Sequence, residues 1–229
     1  MQAIELLYLL KPYAPHFVLR CLQLSNNCIT QDADFMRTFW MLVGEKRLKV
    51  SIREAHNLYT YLRACLPLGG AIAEVGVYKG GSAKLLATYA QGAPFYLFDT
   101  FEGMPDTDAR VDVHAKGDFS DTSLEGVQQY LAGFENLVFR PGRFPASAAG
   151  LPDDLRFSFV NLDVDIYEST LEGLRYFFPR LLPGAVLISH DYNSISCPGV
   201  KKAFDEFTAG SDIVVTPLFD TQCMIRKPR

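Results

Sequence analysis

From residue 71 onward, short apolar runs and helix-patterned segments take turns along the chain. Apolar runs at 71–77, 95–98, 137–140, 157–162, 185–189, 213–216 and 223–225 read as strands. The segments 82–89, 124–131, 168–178 and 200–207 read as helices, with Pro179 and Pro183-Gly184 stopping the third. Strands alternating with helices predict a parallel sheet covered on both faces. The expected fold class is therefore α/β: a doubly wound, Rossmann-like, mostly parallel sheet. Residues 1–68 carry helical spacing instead, in Phe35, Phe39, Leu42 and Val43 and again in Leu58, Tyr61, Leu62 and Cys65. Two regions are expected, an N-terminal helical extension (1–68) and the sheet domain (69–229), punctuated by Pro67-Leu68-Gly69-Gly70.

Composition narrows the function classes. The 229 residues are 48% hydrophobic, enough for a sizeable core, and the net charge is −4. No basic stripe is visible, which argues against a nucleic-acid partner. The densest basic cluster, Lys46-Arg47-Leu48-Lys49, reads as a solvated helix face. The five cysteines are scattered without a C-x-x-C pair, as in a cytoplasmic protein with reduced thiols. Cys65 and Cys223 read as core residues, and Cys197 as a loop thiol without a paired base. The apolar N-terminus is broken by Lys11, Pro12 and Pro15, too short for a membrane span, and suits an interface in a homo-oligomer.

Chemistry concentrates where strands should end, because the carboxyl ends of an open α/β sheet line its ligand crevice. The first such end reads Glu74-Val75-Gly76-Val77-Tyr78-Lys79-Gly80-Gly81-Ser82. Its glycines allow close approach to the backbone and a tight entry into a helix whose amides face the ligand. The spacing is not the G-x-G-x-x-G of nicotinamide enzymes. An acidic residue just before the first glycine suits a cofactor with a cationic amino-acid end, such as S-adenosylmethionine. Asp99 ends the second strand and reads either as a ribose ligand or as a turn cap. Asp118 and Phe119 could flank an adenine ring, while Asp121 or Ser123 caps the next helix.

The strongest local signal is Asp163-Val164-Asp165, answered by His190-Asp191 at the next strand end. Carboxylates gathered with an imidazole equip a site for divalent-metal binding or for proton abstraction. Such a metal could bind an acceptor hydroxyl and lower its pKa. His114, in the polar loop 106–116, is a second candidate base or a solvated loop residue, and its loop could fold over the substrate as a lid.

Taken together, six segments resemble the macrocin O-methyltransferase (TylF-type) family. They are residues 41–47 (MLVGEKR), 74–82 (EVGVYKGGS), 98–105 (FDTFEGMP), 117–122 (GDFSDT), 162–170 (LDVDIYEST) and 189–192 (SHDY), and the resemblance covers nearly the whole chain. It implies a class I methyltransferase domain with an added helical region, S-adenosylmethionine as cofactor, and commonly Mg²⁺. Glu74, Gly76, Ser82, Asp99 and Asp118 match cofactor positions, Asp163 and Asp191 match metal ligands, and Asp165 matches a general base. One departure stands out: antibiotic-tailoring members carry Asp-Asp-Tyr where this chain has His190-Asp191-Tyr192.

The expected function is therefore S-adenosylmethionine-dependent methylation of a hydroxyl on a small acceptor, a glycoside in particular. Cofactor contacts are expected from Glu74, Gly76, Tyr78, Gly81, Ser82, Asp99, Thr100, Asp118, Phe119 and Asp163. Mg²⁺ or Mn²⁺ is expected on Asp163, His190 and Asp191, and catalysis from Asp165, His190 and Asp163. The alternatives are a non-catalytic binding or assembly protein of the same fold, and a nicotinamide oxidoreductase.

Overall fold

The computed structural model describes residues 28–229. The expectations for residues 1–27 lie outside the described residues. Seven strands form one sheet in the order β3-β2-β1-β4-β5-β7-β6. They are β1 (Ala71–Val75), β2 (Phe95–Asp99), β3 (Leu137–Pro141), β4 (Phe157–Leu162), β5 (Leu181–Ser189), β6 (Val215–Pro217) and β7 (Cys223–Arg226). The first five are mutually parallel, and β7 runs antiparallel to both β5 and β6. The sheet is the mostly parallel, doubly wound one expected, in the arrangement of a class I methyltransferase.

The helices are α1 (Cys28–Gln31), α2 (Ala33–Gly44), α3 (Ile52–Cys65), α4 (Gly81–Tyr89), α5 (Leu124–Tyr130), α6 (Tyr167–Arg180) and α7 (Pro198–Thr208). Local chemistry explains their starts. Asp32 caps α2 by accepting from the Phe35 amide, and Ser51 with Glu54 forms a reciprocal capping box on α3. Phe35, Phe39 and Leu42 of α2 and Leu58 and Leu62 of α3 are buried, in one apolar cluster with Ile72, Phe95, Phe159, Val186 and Ile188 of the sheet. The N-terminal helices thus share a core with one sheet face. Helices α6 and α7 cover the other, around Val160, Leu187, Phe177 and Phe204.

Several boundaries differ from the sequence reading; β5, for one, begins at Leu181 where 185 was expected, and takes in Pro183-Gly184. Strand β1 stops at Val75, because Gly76 turns to φ +89°. Helix α6 passes through Pro179 and ends at Arg180; a proline next to the last residue forfeits only a terminal hydrogen bond. Residues 45–50 are not helical: Lys46 takes φ +60°, and the connector lies across the start of α4. A Cβ on Gly81 would stand 2.5 Å from the Arg47 carbonyl oxygen and from Leu48 Cα, so only glycine admits this strap. Val43 and Tyr61, expected in the core, are exposed and half-buried respectively. No helix among the described residues is long and apolar enough to cross a membrane.

Candidate active site

Register brings the chemistry-bearing residues together. Val75 pairs with Leu162, and Leu162 with Ser189. The next residues are Gly76, Asp163 and His190. The Asp163 amide donates to the Val75 carbonyl and the His190 amide to the Leu162 carbonyl, so all three leave the sheet side by side. A Cβ on Gly76 would lie 1.6 Å from the Asp163 carbonyl oxygen, so the two loops cross at a distance only glycine permits.

Above these strand ends opens a cavity of about 540 Å³, within the range of small-molecule sites. Its walls include Gly76, Tyr78, Gly81, Ser82, Asp99, Thr100 and Phe119 on one side, and Asp163, Asp165, His190 and Asp191 on the other. Of the residues expected to bind a cofactor, two stand back. Glu74 is fully buried within the sheet, where its Oε1 accepts from Asn161 Nδ2 at 2.8 Å. Burial pushes its carboxyl up to about 8, against the pull of the Asn161 hydrogen bond, and its Oε2 has no hydrogen-bond partner among the described residues. Asp118 is turned away from the cavity, because its Oδ2 is taken by His114 Nδ1 at 3.0 Å and the Ala115 amide at 3.1 Å.

Asp99 ties the glycine loop to the β2 turn. Its Oδ2 accepts from the Val77 and Tyr78 amides at 2.7 and 2.8 Å, and its Oδ1 from the Phe101 amide at 2.7 Å. Both sequence readings of this residue therefore meet in one place: it caps the turn and still faces the cavity. Phe119, exposed at φ +60°, sets its ring edge-on to Tyr78 at the cavity wall.

Asp163, Asp165 and Asp191 each offer an oxygen within 4.8 Å of the others. Burial, the Asp191 charge and then those of Glu54 and Asp99 raise the Asp163 carboxyl well above its usual range. Burial and the Asp163 and Asp191 charges do the same for Asp165. The geometric set thus contains Asp165 where the sequence reading had His190. That histidine is buried, with Nε2 2.8 Å from Gln222 Nε2 and Nδ1 3.9 Å from Asp163 Oδ2. Burial holds its pKa down.

The loop 101–118 arches over this cluster. Buried Asp112 pins it by accepting the Tyr167 amide at 2.8 Å, at the start of α6. His114 comes close enough for its ring nitrogen, the Asp165 carboxylate and the Cys197 thiol to lie within 4.8 Å of one another. Burial pushes the Cys197 thiol up to about 12, which leaves it un-ionised and a poor nucleophile. Cys65 and Cys223 are core residues as expected.

The sequence reading missed one whole wall. Arg47, Lys49, Val50 and Glu54 line the cavity from the connector and α3, and Thr221 from the β6–β7 turn. Arg47 donates to the Lys79 carbonyl and stacks over Tyr130 at 4.4 Å, so the basic cluster is a cavity rim and not a solvated helix face. The Ser51–Glu54 capping box was the one readable signal for Glu54.

A model of the macrocin O-methyltransferase (TylF) family matches residues 18–224. The chain belongs to this family. Among curated proteins, it is 32% identical over 168 residues to 8-demethyl-8-(2,3-dimethoxy-alpha-L-rhamnosyl)-tetracenomycin-C 4'-O-methyltransferase of Streptomyces olivaceus, covering 65% of this chain and 63% of that one. It is 29% identical over 160 residues to demethyldecarbamoylnovobiocin O-methyltransferase of Streptomyces niveus, covering 63% and 60%. The chain thus spans less than two thirds of the length of these two relatives. The solved O-methyltransferase NovP superposes with a TM-score of 0.71 at 23% identity, over 80% of this chain and 83% of that one, a likeness of fold.

Proposed function

We propose that this protein transfers the methyl group of S-adenosylmethionine to a hydroxyl of a sugar carried by a small natural product. One observation carries the reading: in a member of this family, the glycine loop and the carboxylate trio share one cavity. The Streptomyces olivaceus relative, named for a rhamnosyl acceptor, supports the acceptor class.

The residues present fit the cofactor. Gly76 and Gly81 allow the close approach, the first turn of α4 offers free amides, and Phe119 presents a ring face. When bound, S-adenosylmethionine supplies a methyl group made electrophilic by its sulfonium. The residues present also fit a divalent cation. Three carboxylates this close cannot all ionise without a compensating charge, and oxygen donors suit Mg²⁺ or Mn²⁺. Asp163 and Asp191 would hold it, and it would acidify and orient an acceptor hydroxyl.

Asp165 takes the hydroxyl proton. Its raised pKa brings a carboxylate closer to the working pH of a general base. S-adenosylmethionine, held along Gly76, Gly81 and Phe119, would supply its methyl group to the freed oxygen and leave as S-adenosylhomocysteine, while Asp165 keeps the proton. The loop 101–118, pinned by Asp112, excludes water from the cluster. Val113, Ile195 and Phe219 stand exposed on loops at this end of the sheet, where an apolar aglycone would rest.

The test is calorimetric titration of S-adenosylhomocysteine with and without Mg²⁺ or Mn²⁺, followed by a methyl-transfer screen of glycosides. Asp163→Ala should abolish turnover and spare cofactor-product binding. Full activity in that variant refutes the metal-assisted reading, and absence of S-adenosylhomocysteine binding refutes the methyltransferase reading.

A further inference from the structure

Helix α3 reaches the acidic cluster through three consecutive residues of the β6–β7 turn. Ser51 Oγ donates to Asp220 Oδ2 at 2.6 Å, Thr221 Oγ1 to Glu54 Oε1 at 2.7 Å, and Asn57 Nδ2 to Gln222 Oε1 at 2.8 Å. Positions 51, 54 and 57 follow one another at helical spacing, so the turn is laid along one face of the helix. Its innermost residue, Gln222, is fully buried and touches His190.

We propose that Asn57 and Gln222 lock His190 as its Nδ1–H tautomer, making it a fixed hydrogen-bond donor beside Asp163. The nitrogen nearer Asp163 then carries the proton and offers no lone pair to a cation. The inference rests on reading the Asp163–Asp165–Asp191 cluster as the reaction site, and it deepens that reading.

The end of the Gln222 amide that faces the histidine decides the tautomer. The amide atom 2.8 Å from His190 Nε2 also lies 3.5 Å from the Glu54 backbone carbonyl oxygen. A carbonyl can only accept, so that atom is the amide nitrogen. The opposite end, Oε1, accepts from Asn57, which agrees. A donor aimed at Nε2 requires a lone pair there, so the single proton of the neutral ring sits on Nδ1. Adding a second proton would set N–H against N–H in a fully buried contact. Nδ1 then carries its proton 3.9 Å from Asp163 Oδ2, an electrostatic contact beyond hydrogen-bond length. A nitrogen that carries this proton has no lone pair for a cation. His190 is thus a positioning residue: it presents a neutral donor to a crowded anion where another carboxylate would add charge.

Long-range proton–nitrogen NMR correlation on the ¹⁵N-labelled full chain reads the tautomer directly. There are four histidines, and the imidazole pattern missing from His190→Asn identifies the one of interest. The expected pattern is a protonated Nδ1 and an unprotonated Nε2, unchanged by saturating Mg²⁺. Gln222→Glu puts an acceptor at Nε2 and should move that nitrogen to the protonated range. Gln222→Met, which removes the donor without adding charge, should leave a mixture of tautomers and serves if the glutamate variant does not fold. A protonated Nε2 in the wild type, or a Mg²⁺-induced shift of Nδ1 typical of direct ligation, overturns the proposal. So does an unchanged pattern in either Gln222 variant. None of these readouts needs methyl transfer, so the tautomer can fail while the methyltransferase reading stands, and the reverse.

Discussion

Glu74 offers a direct test of how burial and charge are balanced beneath the glycine loop. Its carboxyl is fully buried, and its pKa stands near 8 against an ordinary 4.5. Below 4.5 the group is protonated whether the chain is folded or not, and it contributes no pH dependence. As pH rises from 4.5 toward 8, the unfolded chain releases this proton and the folded one keeps it. Folding stability therefore falls across that window and levels off above it. Glu74→Gln keeps the shape and the acceptor for Asn161 but cannot ionise. Between pH 5 and pH 9, the wild type should lose about 4 kcal/mol that the variant retains. Urea denaturation of both proteins at pH 5, 7 and 9 measures this, and other titrating groups cancel in the difference. A stability difference that stays flat across this range refutes the reasoning. The same carboxyl is the one the sequence pairs with the cationic amino-acid end of S-adenosylmethionine, and Ser82 of the cavity wall is among its neighbours. Cofactor binding at pH 7 should then release a proton from the wild type and none from Glu74→Gln, as calorimetry in buffers of different ionisation enthalpy would record.

Two further outcomes follow from the loop crossing and from the base. Gly76→Ala sets a Cβ into the Asp163 carbonyl at φ +89° and should destabilise the fold by at least about 2 kcal/mol, with loss of S-adenosylhomocysteine binding; denaturation and calorimetry check both. If Asp165 is the base, it works only when ionised, so kcat/KM should rise with pH through a limb set by its titration. Asp165→Asn should remove that limb, and a limb that survives the substitution assigns the base elsewhere.

The centre of the sheet was legible because β1 and β4 are buried on both faces and read as continuous apolar runs: β4 was located to the residue at 157–162. The cluster at its end was legible because strand ends converge by topology. Gly76, Asp163, Asp165 and Asp191 needed only the knowledge that β1, β4 and β5 are neighbours. The wall formed by Arg47, Lys49, Glu54 and Thr221 was not legible, since it depends on a helix meeting a turn some 167 positions away. His190 shows the same limit. Its place beside the carboxylates was readable, but its engagement by Gln222 was not. The partners of Asp118 were not legible either: the fold engages its Oδ2 with His114 and a turn amide four and three residues back.

The electrostatics of the cluster bind proton and cation into one equilibrium. Asp163 and Asp165 hold their protons above the usual carboxylate range because burial and mutual repulsion disfavour the anions. A divalent cation on Asp163 and Asp191 reverses that balance, and it binds only after displacing the protons it competes with. Mg²⁺ affinity should therefore rise with pH, about tenfold per pH unit for each proton displaced, until the raised pKa values are passed. Titration of Mg²⁺ into the protein at pH 6, 7 and 8 measures both the affinity and the protons released. A pH-independent affinity would mean that these carboxylates are already ionised or are not the ligands. In the second case the charge of the cluster would have to be neutralised by the acceptor and cofactor alone.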